Sequence, residues 1–214
     1  MDEETAIIDS NTRNERIKNF FVKNKTKLSV LFSLIAIILL SYFAMTELKQ
    51  KKKIRISDDF NFYVDKYKNG NLKESIEGLK KVVNEKDPTY SPLSLYFIID
   101  NNLIVELEEV NKLFDVLIDK TSLEKEIRYL IIYKKGLFNA DNSDEVYLLD
   151  ILNPLITSKS IWKSHALYLI AEFFYSKNEK QKAKDFYQEI IVLENANSTI
   201  KIKAQKRLNR DLSE

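Results

Sequence analysis

Cysteine is absent from the 214 residues, and glycine, proline, histidine and tryptophan are scarce, at 3, 3, 1 and 1. Without cysteine there is no disulfide, no thiol nucleophile and no thiolate metal site, and either redox compartment suits the chain. The lone histidine, His165, excludes a multi-histidine metal centre and leaves any histidine-based triad a single residue to draw on. Gly70, Gly78 and Gly136 stand apart from one another and build no phosphate-cradling loop. So few breakers also deprive strands and tight hairpins of their punctuation. Lysine plus arginine number 34 against 32 acidic residues, a net charge of +2, which makes no case for a nucleic-acid partner. Carboxylates such as Glu106, Glu108 and Glu109 lie among lysines, the pattern of a solvated helical face and not of an acid/base pair. No catalytic, cofactor-binding or metal-ligating residue is expected, and no enzymatic activity.

What the chain does have is one long uncharged run, Leu28 to Thr46, reading LSVLFSLIAIILLSYFAMT, in a sequence that is 31% charged overall. As a helix it would extend roughly 28 Å, close to the ~30 Å of a bilayer's hydrocarbon core. Its polar residues are Ser29, Ser33, Ser41, Tyr42 and Thr46, and small hydroxyls can bond back to their own helix carbonyls. A cleaved signal peptide has a shorter apolar region ending in an A-x-A-like site, and Ala44-Met45-Thr46 is a poor one. The run therefore reads as an uncleaved signal-anchor, a transmembrane helix over 28–46 in contact with the lipid bilayer. Residues 1–27 become a tail with a basic juxtamembrane segment, and 47–55 a basic linker.

Both flanks are basic. Arg13, Arg16, Lys18, Lys23, Lys25 and Lys27 precede the run; Lys49, Lys51, Lys52, Lys53 and Arg55 follow it. The positive-inside rule thus leaves the orientation open. Within the tail, Ile17, Phe20 and Phe21 share one helical face among lysines, which fits a short helix lying on headgroups; a disordered tail with stray apolar residues is the other reading.

Beyond the run, residues 56–214 suffice for one domain with a proper core. Their apolar positions recur at three and four: Phe60, Tyr63, Val64 and Tyr67 form one stripe, and Ile76, Leu79, Val82 and Val83 the next. Asn69-Gly70-Asn71 between them is a turn signal. The spacing predicts helices near 56–69, 72–85, 91–102, 105–119, 123–138, 144–157, 159–177, 180–194 and 197–212. Ser91, Thr121 and Ser143 read as caps. The fold class is all-α, an antiparallel helical array joined by short connections.

Residues His165 to Asn195, HALYLIAEFFYSKNEKQKAKDFYQEIIVLEN, resemble the tetratricopeptide repeat, a 34-residue helix–turn–helix unit. Leu167, Ile170, Ala171 and Phe174 match its first helix and Asn178 its turn. Ala183, Tyr187, Ile190 and Leu193 match its second helix, although Ile190 is larger than the usual alanine and Asn195 replaces the terminal proline. Fainter copies lie over 57–87 and 92–123, with Ser75 and Val110 at the small position. The resemblance implies that the N-terminal transmembrane helix is followed by a tetratricopeptide-like antiparallel helical solenoid, whose concave groove would face Phe60, Val64 and Tyr67 in the first repeat. In the clearest repeat it would face His165, Tyr168, Glu172 and Tyr175. Tyrosine-lined grooves suit extended peptides.

The order of tail, span, basic stretch and degenerate repeat domain is similar to a bacterial inner-membrane family described as the ancillary subunit of the SecYEG translocon. The element Leu152, Pro154 and Leu155, followed by Trp162, Lys163, Ser164 and Ala166, stands in the pattern of that family. The resemblance implies a single-pass inner-membrane protein with a cytoplasmic N-terminus and a periplasmic domain. Its implied partners are the translocon, a membrane-anchored periplasmic chaperone and unfolded clients. An envelope-assembly or cell-division scaffold is the alternative, and an unrecognised enzyme or a cytosolic regulator an alternative of another class. Trp162 reads as a wedge between helix pairs. The basic run Lys201, Lys203, Lys206, Arg207 and Arg210 reads as the solubilising face of a capping helix.

Overall fold

The computed structural model describes residues 2–212, with side chains from Glu15 onward. Among the described residues there are nine helices and no strand: α1 (Asp2–Lys68), α2 (Leu72–Asn84), α3 (Tyr90–Asp100), α4 (Leu107–Lys120), α5 (Lys125–Asn139), α6 (Glu145–Ile156), α7 (Lys163–Ser176), α8 (Lys180–Val192) and α9 (Ser198–Asp211). The protein is all-helical, with the elements where the three-and-four spacing predicts them. Two compact units divide at Ile54 and Arg55.

Among the described residues one helix is long and apolar enough to cross a membrane by length and composition, and its uncharged run lies in the first unit, up to Ile54. Its side chains from Ser29 to Ile54 are all exposed. Thr46 donates its hydroxyl to the Tyr42 carbonyl at 2.9 Å, so this polar group is satisfied within the helix. Residues 47–55, a basic linker by sequence, are helical too. Nothing in them breaks a helix, and Glu47 meets Lys51 one turn on at 3.4 Å.

The second unit, from Arg55, buries its apolar stripes. One cluster centres on Leu79, Leu95, Ile98, Phe114 and Leu117, and another on Leu152, Leu167, Ile170, Phe174 and Tyr187. Each such burial stabilises by about 1.5–3 kcal/mol. Sequential helices pack on one another, and α5 also meets α7, as α7 meets α9. Close approach needs small residues. A Cβ on Gly78 would run into the Tyr63 ring, while Ala171 and Ala183 are fully buried between α7 and α8. Polar groups join α4 to α5 as well: the Asn111 and Asn139 amides exchange two hydrogen bonds of 2.8 Å.

Three helices end in one geometry. Gly70, Asn102 and Asn178 adopt positive φ of 79°, 50° and 61°. The next amide in each case bonds back five residues, Asn71 to Lys66, Leu103 to Ile98 and Glu179 to Phe174, at 2.9–3.0 Å. That is the Schellman closure, which glycine and asparagine tolerate best. The caps sit elsewhere than sequence suggests. Asp144, not Ser143, takes the Tyr147 amide at 2.8 Å, and Asn197 takes those of Thr199 and Ile200. Ser91 and Thr121 turn inward and donate to the Val82 and Val116 carbonyls. A buried carbonyl at a helix end competes for a hydroxyl as well as an amide does.

Candidate functional site

His165, Tyr168, Glu172 and Tyr175 recur at three and four, so they share one side of α7. Lys203, Lys206, Arg207 and Arg210 share one side of α9 by the same spacing. The fold brings the two stripes together. Arg207 donates to both Glu172 oxygens, Nε at 2.8 Å and Nη2 at 2.6 Å, a forked pairing stronger than a single charge contact. The Tyr187 hydroxyl donates to Glu172 Oε1 at 2.6 Å. Arg207 also reaches Asp211 at 2.9 Å, and Arg210 meets Asp211 at 2.7 and 2.9 Å. The guanidinium of Arg207 lies 4.8 Å from the centre of the Tyr175 ring, and the Tyr168 and Tyr187 rings meet edge-on at 5.7 Å.

Electrostatics follow the geometry. Burial pushes the Glu172 carboxyl up, but hydrogen bonds from Arg207, Tyr187 and Tyr168 outweigh it and hold the group below its usual range. Hydrogen bonds from Arg210 and then Arg207 depress Asp211 strongly. Burial, with the Glu172 charge adding, pushes the Tyr187 phenol far up. Beside this lattice lies a recess of about 220 Å³ lined by Tyr168, Lys203, Lys206, Arg207 and Arg210.

Further along α7, His165 packs against Trp162, with ring centres 5.1 Å apart, and against Tyr133 of α5 at 5.8 Å. Trp162 stacks on Tyr133 at 5.9 Å, which places the indole at the α5–α7 seam. Burial, and then the nearby Lys203 charge, hold the imidazole below its ordinary pKa.

Phe60, Val64 and Tyr67 stand at some distance along the chain from that face, and each is half-buried. Phe60 and Val64 pack against the cluster around Leu79. The Phe60 ring meets Tyr90 at 5.9 Å, and the Tyr67 ring meets Phe97 edge-on at 5.2 Å. A separate recess of about 200 Å³ is lined by Tyr96, Ile99, Phe114, Leu137 and Phe138, with the Lys134 ammonium 4.5 Å from the centre of the Tyr96 ring. Burial there pushes the Tyr96 phenol up to about 12. Among the described residues no group of three or more histidine or carboxylate side chains could hold a metal ion.

Sequence reading singled out the α7 stripe but treated Arg207 and Arg210 as solvated charges, and it gave Asp211 no role. The three-and-four spacing along α9 was the available signal. The Glu172 partner, 35 residues upstream, was not visible in it.

What the fold and this face define is a class: an all-helical protein with one helix able to cross a membrane and a helical domain presenting a tyrosine-, glutamate- and arginine-bearing face. No family model, curated protein or solved structure matches the chain.

Proposed function

We propose that the protein is a membrane-anchored protein-interaction scaffold. Residues 28–46 cross the bilayer once, and the second unit is a tetratricopeptide-like solenoid of helix pairs that binds other proteins. The single observation that carries this reading is the uncharged run Leu28–Thr46, helical and without a buried residue. Apolar surface of that extent is costly in water and at home in lipid. Support for the repeat architecture comes from the shared turn geometry at Gly70, Asn102 and Asn178 and from the meetings of α5 with α7 and α7 with α9. By the family resemblance, the domain is periplasmic in a bacterial inner membrane, the N-terminus cytoplasmic. Its partners are then the SecYEG translocon, a membrane-anchored chaperone and unfolded clients.

The absence of native cysteine makes sidedness testable. Ser10→Cys and, separately, the exposed Ser122→Cys would be labelled in intact cells with a thiol reagent that does not cross the inner membrane. Labelling at position 122 alone, followed by crosslinking of the domain to a translocon component, is the expected result. Labelling at position 10 alone reverses the orientation and removes the periplasmic role. A further candidate, Ser213, lies outside the described residues.

A further inference from the structure

Among the described residues, the charges around the α7–α9 recess do not balance. Four cations line it, and the ion pairs they form are those of Arg207 with Glu172 and Asp211 and of Arg210 with Asp211. Lys203 and Lys206 form no ion pair among the described residues, and both are exposed. Two positive charges therefore remain, one helical turn apart or roughly 4.5 Å along the axis. The Tyr168 ring supplies an uncharged wall beside them.

We infer that this recess is a docking site for an acidic, extended segment of a partner protein, with neighbouring same-face carboxylates on Lys203 and Lys206. The inference rests on the scaffold reading and names the chemistry of its partner. Side chains on one face of an extended segment repeat at roughly 7 Å, within reach of two flexible lysine stems that start a helical turn apart. Arg207 and Arg210 keep the wall rigid through Glu172 and Asp211 and stay committed there. A lipid surface fits less well. A plane of headgroups is met by a protruding basic face, whereas these cations border a hollow walled by the Tyr168 ring.

The test uses the full chain in phosphatidylcholine nanodiscs. A dye-labelled peptide, Gly-Ser-Glu-Leu-Glu-Ser-Gly, is titrated by fluorescence anisotropy beside its Lys-Leu-Lys counterpart. The acidic probe is expected to bind and the basic one to fail, with affinity falling as salt rises. The double variant Lys203→Gln/Lys206→Gln should weaken the acidic probe about tenfold or more. Lys68→Gln/Lys120→Gln, which removes the same charge from exposed sites elsewhere, should change it less than about twofold. Equal binding by both variants, or no binding of the acidic probe to the native chain, overturns the site. So does flotation with phosphatidylglycerol vesicles that depends on Lys203 and Lys206 while the peptide is ignored; this would assign the charges to lipid. A photo-crosslinker at position 168 separates this failure from failure of the scaffold. The same protein captured by the native chain and by the lysine variant overturns the recess alone. No protein captured from position 168 or from any other position on the domain surface overturns both.

Discussion

Leu40 and Leu167 are the same residue in the same secondary structure, yet Leu40 is 69% exposed and Leu167 0%. The contrast extends to the two units that hold them. The unit ending at Ile54 turns apolar side chains outward along the whole run from 29 to 46, while the unit from Arg55 folds its apolar stripes onto one another. Helical periodicity separates them. The inner stripes of the domain leave polar residues on the other side, so each helix needs a neighbour of its own chain. The run from 29 to 46 is apolar all round, so no single neighbour could cover it.

The contrast breaks most sharply if the run from 29 to 46 is made polar. Ile37→Arg with Ile38→Arg costs about 5–7 kcal/mol at mid-membrane and should move the chain from the alkaline-resistant membrane fraction to the soluble one. Retention in the membrane would sink the spanning helix. Next comes the matched pair of truncations. Leu167→Ala should lower the stability of the domain by about 3 kcal/mol through the cavity it leaves, whereas Leu40→Ala should leave the denaturation midpoint where it is. A drop with Leu40→Ala would mean that the run is covered by protein.

A smaller effect tests the latch of α9 on α7. Glu172 and Asp211 both sit below their ordinary pKa in the fold, so the folded state binds fewer protons than the unfolded chain. Their contribution is complete above the usual carboxylate value of about 4 and drains away as the pH falls below it through the depressed values. Glu172→Gln should cost about 1 kcal/mol at pH 7, discounted for partial exposure, and should flatten the fall in melting temperature between neutral and acid solution. An unchanged acid profile would show that α9 is held by its apolar contacts alone. Least of all, Lys112→Ala, which removes an exposed pair with Glu108, should leave the melting curve unchanged.

Helices were legible because apolar spacing is a local property, and all the predicted elements of the domain have counterparts within a few residues. Turns were legible where left-handed backbone is required, as at Gly70 and Asn178. Caps were less so: Ser143 and Asp144 offer the same chemistry one residue apart, and the rotation of the first turn decides between them. The candidate face was half visible. Periodicity aligned His165, Tyr168, Glu172 and Tyr175, but which helix lies opposite is a tertiary fact, and it made Glu172 the acceptor for Arg207 and Tyr187. The same limit applied at Phe60 and Tyr67. Their stripe was clear, while their partners Tyr90 and Phe97 lay on α3, beyond any local signal.

Trp162 stacked on Tyr133, with His165 beside it, gives the protein a built-in optical gauge. Since the sequence holds 1 tryptophan, all indole emission comes from the meeting of α5 and α7. A protonated imidazole quenches a neighbouring indole, and separation of the two helices would wet the ring and redden its light. Unfolding of the domain and the charge on His165 can therefore each be followed by fluorimetry, with no dye attached to the chain.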